Sequence, residues 1–189
     1  MQLQLKAKVG SAMRRWLKRG LIALVLLMLA ASITAYCLLR GSLPVLEGQH
    51  ALPGLNAAVT LSRDANGTVT IDAQNEADAL RALGYVHAQE RFFEMDLMRR
   101  VAAGELSALV GAAALEVDKQ HRLHRLRARV EQDLSLIVAD KRPQLDAYVA
   151  GVNAGLNSLH TRPWPYLLLR ETPQPWRAED TPLAAFAMY

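Results

Sequence analysis

Cysteine is almost missing from this sequence: Cys37 stands alone, which excludes an intrachain disulfide and a cysteine-built zinc site. Acidic residues are missing from the first 20 positions, where Lys6, Lys8, Arg14, Arg15, Lys18 and Arg19 all fall. The formal net charge of +4 drops to −2 once those six cations are set aside. The basic pI therefore belongs to the leader, and the body carries no electrostatic footprint for nucleic acid. There is no G-x-S-x-G turn, no H-E-x-x-H pair, and no glycine loop of the kind that cradles phosphates or dinucleotides. Internal repeats and low-complexity tracts are also lacking.

What is present is hydrophobic. With 189 residues, 51% of them apolar, the chain holds enough material for one domain with a core, in addition to a leader. Leu21 to Leu39 is an uncharged run of 19 residues. As a helix it spans roughly 28 Å, near the bilayer hydrocarbon thickness of about 30 Å. Cations crowd its N-terminal side and only Arg40 follows closely, so the positive-inside rule leaves residues 1–20 in the cytoplasm and exports the body. The expectation is a single-pass membrane anchor with the body on the far side of the membrane. A cleaved signal peptide is the alternative; the run is longer than the usual apolar region of about 7 to 15 residues, and no clean small-x-small site follows it. Arg14-Arg15 is a weak twin-arginine feature. Cys37 follows Tyr36 instead of a small residue, which argues against lipid attachment, and reads as a lipid-facing apolar side chain.

Residues 40–54 read as a linker, with the folded body, 55–189, beginning near Leu55. Ala57 to Arg63 and Thr68 to Asp72 alternate around Asn66-Gly67, which predicts a short β-hairpin. Asn75 is placed to N-cap a long helix over Glu76 to Ala103, ended by Gly104. Leu80, Gly84, Ala88, Arg91, Met95 and Met98 form one stripe on it. Arg91 on that stripe requires a buried partner, with Asp64 and Asp118 the candidates. Glu105 to Val110 should add a short turn closed by Gly111. A second helix is expected from Asp118 to Ile137, with Leu123, Leu126, Val130, Leu134 and Ile137 inward. Lys119, Arg122, Arg125, Arg127 and Arg129 then form a solvated basic face, with phosphate or anionic lipid as the less common reading. Asp140 should cap a third helix carrying Leu145, Tyr148, Val152, Leu156 and Leu159, on which Gly151 and Gly155 mark close packing. Pro163, Pro165, Pro173 and Pro175 predict an irregular connection, and Thr181-Pro182 a final helix opening with Thr181 as N-cap. That last element has so few residues after it that the chain reads as cut off within it.

Few residues are candidates for chemistry. His121 and His124, beside Glu116 and Asp118, have the spacing for two metal-facing imidazoles, but no third histidine completes the set. His87 within the long helix reads as a core histidine. Ser62, Ser107, Ser135 and Ser158 lie in ordinary strand or helix contexts. These residues alone describe a membrane-anchored, mainly α domain with a short N-terminal β-hairpin, and leave open whether it is enzymatic.

A resemblance narrows this. Arg63-Asp64-x-x-Gly67-x-x-x-Ile71-x-Ala73, then Ala82-Leu83-Gly84-Tyr85-Val86-His87-Ala88-Gln89-Glu90-Arg91-Phe92-Phe93-Glu94-Met95-Asp96, resemble the opening of the penicillin acylase family. Arg99-Arg100-x-x-x-Gly104-Glu105-Leu106, Gly111, Asp118, Arg122, Ala147-Tyr148-x-x-Gly151-Val152-Asn153-Ala154 and Pro175-Trp176-x-x-x-Asp180 follow in that family's order. The resemblance runs from about Leu55 to Tyr189. Val69, Glu90 and Pro165 stand where the family more often has Pro, Asp and Glu.

The resemblance implies an N-terminal-nucleophile hydrolase of linear amides, such as acylated β-lactams or acyl-homoserine lactones, with an αββα fold. Its precursor cuts itself into a smaller α chain, which this sequence would largely cover, and a larger β chain. The first residue of the β chain, normally Ser, attacks the amide carbonyl with its own α-amino group as base, a role suited to a pKa near 8. On this reading the nucleophile, the acyl-pocket side chains and the α-chain acid that helps bind calcium all lie beyond Tyr189. No catalytic, substrate-binding or metal residue is therefore assigned within this chain, and it holds no cofactor. Its implied partners are the downstream β-chain segment, an acyl-amide substrate of the full enzyme, and the membrane through Leu21 to Leu39. The alternative is a membrane-tethered helical binding module or a gene remnant without enzymatic role.

Overall fold

The computed structural model describes residues 2–188, with side chains from Met13 onward. The leader side chains of Lys6 and Lys8, and Tyr189, lie outside the described residues. Contacts divide the chain into two units, Met1–Arg40 and Gly41–Tyr189.

The first unit is one helix, α1 (Gln2–Gly41). Its Met13–Gly41 portion, 29 residues, has the length and composition to cross a membrane. Leu21, Leu27, Met28, Leu29 and Ile33 on it are all exposed.

The second unit is mainly helical. A hairpin, β1 (Thr60–Arg63) and β2 (Val69–Asp72), pairs antiparallel with Leu61 opposite Ile71. Its turn differs from the two-residue type that Asn-Gly suggests: residues 64–68 form the loop and only Gly67 has positive φ, at 82°. The Asp64 carboxylate accepts from the amides of Asn66 and Thr68, at 2.9 and 2.8 Å, and closes the loop from its own side chain. Those amide bonds, Thr68 first, hold its pKa below the usual carboxylate value. Asp64 is thus no partner for Arg91.

The long helix α2 (Glu76–Ala103) starts and stops where its caps predict, with Asn75 Oδ1 accepting from the amide of Asp78 and Gly104 at φ 67° closing the C-terminus. Inside it Arg91 leaves helical geometry, at φ −143° and ψ 27°. This kink corrects the predicted stripe. Before it, Gly84 and Ala88 face inward as expected; after it Met95 stays inward, but Phe92 and Arg99 take the buried places expected of Arg91 and Met98, which are exposed. Arg91 needs no buried partner because it is not buried.

Next come α3 (Ser107–Val110), a 3₁₀ turn over Gly111–Ala114, α4 (Leu115–Arg122) and α5 (Leu126–Val138). The single helix predicted from Asp118 to Ile137 is therefore two, broken at Arg125, which adopts φ 52°. The break leaves Leu123 74% exposed, and only Val130 of the predicted apolar face is fully covered. The second break, at Ala139, also has positive φ. After it, α6 (Arg142–Ser158) begins behind a 3₁₀ turn that contains Asp140, so Asp140 is not its cap; Lys141 holds that position without a side-chain bond.

The main packing event is α2 against α6. A Cβ on Gly84 would run into the carbonyl oxygen of Tyr148, one on Gly151 into that of Arg81, and one on Gly155 into that of Tyr85. The two backbones touch because these positions have no side chain. Around this seam Ala88, Phe92, Met95, Leu109, Val152, Tyr166 and Trp176 form the larger core, and Ala102, Ala103, Val130 and Leu183 a smaller one.

The proline-rich stretch contains a helix, α7 (Trp164–Leu169), where irregular chain was expected. Pro163 precedes it and Pro165 sits in its first turn, where a missing N–H costs nothing. Beyond it, residues 171–177 run as an irregular strap to α8 (Asp180–Phe186). Glu179, not Thr181, holds the N-cap position of α8, and the Thr181 hydroxyl instead accepts from Trp176 Nε1 at 3.0 Å.

Replacing Gly155 by Ala should lower the thermal midpoint of the body by the equivalent of about 1 to 3 kcal/mol, and Gly155→Val should lower it further. Helix propensity alone predicts the opposite sign, a gain near ~1 kcal/mol for Ala. A circular-dichroism melt of the detergent-solubilised chain decides which effect wins.

Candidate functional site

The polar interior is built from the last turns of α2. Asp96, Arg99 and Arg100 at i, i+3 and i+4 place one carboxylate between two guanidinium groups, with Nε of Arg99 at 2.7 Å and Nε of Arg100 at 2.9 Å from Asp96 Oδ1. The other carboxylate oxygen accepts from the Tyr166 hydroxyl of α7 at 2.6 Å. Arg99 Nη1 reaches Asp180, at the head of α8, at 2.6 Å, and the Pro175 carbonyl at 3.0 Å; Nη2 donates to the Gln174 carbonyl at 3.0 Å. Its guanidinium carbon also lies 4.9 Å from the Trp176 ring centre. Arg127 of α5 binds Asp180 at 3.1 Å and grips Glu105 with two bonds at 2.7 and 2.8 Å. Asp96 and Asp180 are both fully buried.

Every acid in this cluster is neutralised and every guanidinium engaged, so it offers no free base or acid. Burial, then the neighbouring Asp96 carboxylate, pushes the Tyr166 hydroxyl pKa well up, which keeps it a neutral donor. Arg127 was expected on a solvated basic face; it is a structural member of this cluster instead. Arg122 likewise donates to the Gly104 carbonyl at 2.7 Å.

Two other buried carboxylates act as caps. Asp118 accepts from the amides of Leu106 and Ser107 at 2.8 and 2.7 Å. Burial by itself would raise its pKa, but the bonds from Ser107 and Leu106 outweigh it and hold the group low. Asp78 accepts from the amides of Asn56 and Ala57 and from both Asn56 and Asn75 side chains. Asp118 is therefore neither the partner of Arg91 nor available to His121 and His124. His121 lies in the last turn of α4, and His124 beyond its end in the turn that breaks the helix. Among the described residues no group of three or more His, Cys, Asp or Glu side chains gathers around a metal-sized space.

His87 makes a further polar contact across the helix seam, beside the bond from Gln89 to Ser158. Its Nδ1 lies 3.0 Å from the Tyr148 hydroxyl, with the rings edge to face at 5.9 Å between centres. Burial, then the charge of Arg91, lowers the His87 pKa, with Glu90 opposing. Burial pushes the Tyr148 hydroxyl up to about 12. Near neutral pH both are uncharged. Among the described residues no serine is bonded to either: Ser62 and Ser135 are exposed, the Ser107 amide caps against Asp118, and Ser158 donates to the Gly155 carbonyl and accepts from Gln89.

These closed networks use the residues that carry the sequence resemblance, and comparison with known proteins accounts for them. Residues 58–189 match the family model described as penicillin amidase. This chain belongs to the penicillin amidase family. It is 44% identical over 138 residues to the penicillin acylase 2 proenzyme of Pseudomonas sp. (strain SE83), covering 73% of this chain and 18% of that protein. It is 35% identical over 155 residues to an acyl-homoserine lactone acylase of Pseudomonas putida, covering 79% of this chain and 18% of the relative. A solved thermostable penicillin G acylase from Alcaligenes faecalis aligns at TM-score 0.60 and 26% identity, covering 69% of this chain and 71% of that one. The chain thus spans under a fifth of the length of these curated relatives. Within it, Asp96, Arg99, Gly151 and Asp180 hold helices together, and Asn153 ties α6 to the strap.

Replacing Asp180 by Asn should cost about 3 to 5 kcal/mol, since it leaves buried Arg99 and partly buried Arg127 short of a counter-charge. Lys119→Ala, which breaks only the exposed pair with Glu116, should cost under about 1 kcal/mol. Urea midpoints of the two variants make the comparison.

The His87 pKa sets a pH dependence. Its folded pKa lies below the ordinary 6.5, so the unfolded chain binds the proton more readily. The stability it contributes is complete above pH 6.5 and declines as pH falls through the folded pKa. Denaturation midpoints of wild type should therefore fall between pH 6.5 and 5, with a shallower slope in His87→Gln.

Proposed function

We propose that this chain is the N-terminal portion of an amide hydrolase of the N-terminal-nucleophile type, and that a downstream segment of the same precursor supplies the attacking group. The carrying observation is a pair of coverages: the matched span is 18% of the 44%-identical proenzyme but 71% of the chain in the solved acylase. In that acylase the corresponding piece is thus a short chain of its own, which supports a precursor cut into a smaller and a larger polypeptide. The reading places no catalytic, substrate-binding or metal residue in this chain, and puts any calcium ligand in the remainder.

The surface fits a scaffold for a larger partner segment. Both outer edges of the two-stranded sheet are open, and β1 is exposed along its whole length. Leu136, Leu168, Phe186 and Met188 are exposed as well, at 79, 73, 45 and 67%. On this reading the hairpin contributes two strands to an αββα sandwich. The substrates are linear amides of the kind named for the relatives, acylated β-lactams or acyl-homoserine lactones. The α1 helix serves as a single-pass anchor in a bacterial inner membrane, with residues 1–20 in the cytoplasm and the body, residues 55–189 beyond a 40–54 linker, in the periplasm. Secretion after signal cleavage is the alternative fate of the leader.

The chain expressed by itself should not hydrolyse a chromogenic phenylacetyl or fatty-acyl amide. Expressed with the segment that follows it in its gene, it should give turnover and two polypeptides on a denaturing gel, both lost on replacing the serine at the junction by alanine. Turnover by the isolated chain, or a complete precursor without amidase activity, overturns the proposal.

A further inference from the structure

A cleft of about 370 Å³ lies between the C-terminal turns of α6 and the strap. Its walls are preformed. Asn153 binds both polar backbone atoms of Trp176 at 2.8 Å, and Arg99 holds the carbonyls of Gln174 and Pro175, so the strap is fixed on its inner side. Leu156, Leu159 and Pro173 give the cleft an apolar wall, while Asn157, Arg162 and Thr172 give it a polar one. No acid lines it.

Arg162 is the unusual member. Among the described residues its guanidinium has a single hydrogen bond, from Nη1 to the Thr172 hydroxyl, and at 3.4 Å that bond is long. Its Nε is buried and has no partner. A guanidinium with a buried N–H that lacks an acceptor carries a desolvation cost, and a negative charge brought to its other nitrogens offsets it. Nη1, whose bond to Thr172 is long, and Nη2 form the planar end of the guanidinium, which matches the two oxygens of a carboxylate. The Asn157 side chain makes no hydrogen bond among the described residues and adds a donor nearby. The cleft is in the size range of small-molecule sites, apolar on one side with a few converging polar groups on the other.

We propose that this cleft binds a small monocarboxylate with a short apolar tail, the carboxylate on Arg162 and the tail against Leu156, Leu159 and Pro173. The proposal does not depend on the amide-hydrolase reading, because binding is read directly and not through turnover.

Hexanoate titrated into the full chain, held in phosphatidylcholine nanodiscs, should show saturable millimolar binding by calorimetry or ligand-observed NMR. Acetate should bind more weakly for want of a tail, and the uncharged isostere hexanamide should not saturate. Arg162→Gln should weaken hexanoate binding about tenfold or more. Asn157 is exposed, so Asn157→Asp leaves the fold intact while adding a negative charge to the cleft; it should also weaken hexanoate, and it serves as the test if Arg162→Gln does not fold. Equal binding of hexanoate and hexanamide, binding undiminished in Asn157→Asp, or no saturation through the tens of millimolar overturns the proposal.

Discussion

One buried guanidinium organises the second half of this fold. Arg99 touches Asp96 on its own helix, Asp180 on α8, two carbonyls of the strap and the face of Trp176. A charge taken out of water costs several kcal/mol unless it is neutralised and its donors are satisfied. The strap and α8 supply those acceptors, so their positions follow from where α2 puts Arg99. Apolar burial drives the collapse, since Leu183, Val130 and Trp176 are all fully covered. Hydrophobic contact has little direction, and the ion cluster supplies it. Buried pairs are often no more stabilising than well-packed apolar replacements, so the role that fits this cluster is specifying which segment packs where.

Arg99 can face the strap only because α2 is not straight. The departure from helical geometry at Arg91 lets the N-terminal half of α2 present Gly84 and Ala88 to α6 while the C-terminal half turns Phe92, Met95 and Arg99 inward. The glycine seam anchors the first half, because backbones this close leave no alternative register without a clash. The ion cluster anchors the second. Two different kinds of specificity, one steric and one electrostatic, meet at the kink. His87 and Tyr148 sit just before it, as an uncharged pair inside the seam.

Much of this was legible in the sequence where the signal is local. The hairpin, both caps of α2, and the close-packing role of Gly151 and Gly155 follow from Asn75, Asn66-Gly67, Gly104 and the glycine spacing, since each rests on backbone conformation that few residues allow. The misreadings share a different cause. The break at Arg125, the kink at Arg91 and the burial of Phe92 and Arg99 in place of Arg91 and Met98 depend on tertiary contacts that no residue type announces, because Arg is a good helix former. A straight helix would bury Arg91 on the stripe and require a partner for it; the kink removes both. The partners truly needed were those of Arg99, and Asp96-x-x-Arg99-Arg100 carried a usable signal in its i, i+3, i+4 spacing. Asp180, 81 residues away from Arg99, is beyond the reach of any periodicity. The proline count correctly marked a connection, but proline in a first helical turn is permissive, so α7 was missed.

The chemistry of the described residues is as informative as their packing. Asp78, Asp96, Asp118 and Asp180 are buried, and each has its oxygens occupied by amides, hydroxyls or guanidinium groups. Groups held this firmly make poor catalysts, because general acid–base work needs a proton that can move near working pH. The buried hydroxyls of Tyr148 and Tyr166 are shifted upward, away from that range. Of the titratable groups in the seam only His87 has an ordinary value near neutrality, and burial moves it toward the permanently neutral form. A domain whose interior polar groups are locked in this way is built to hold a shape.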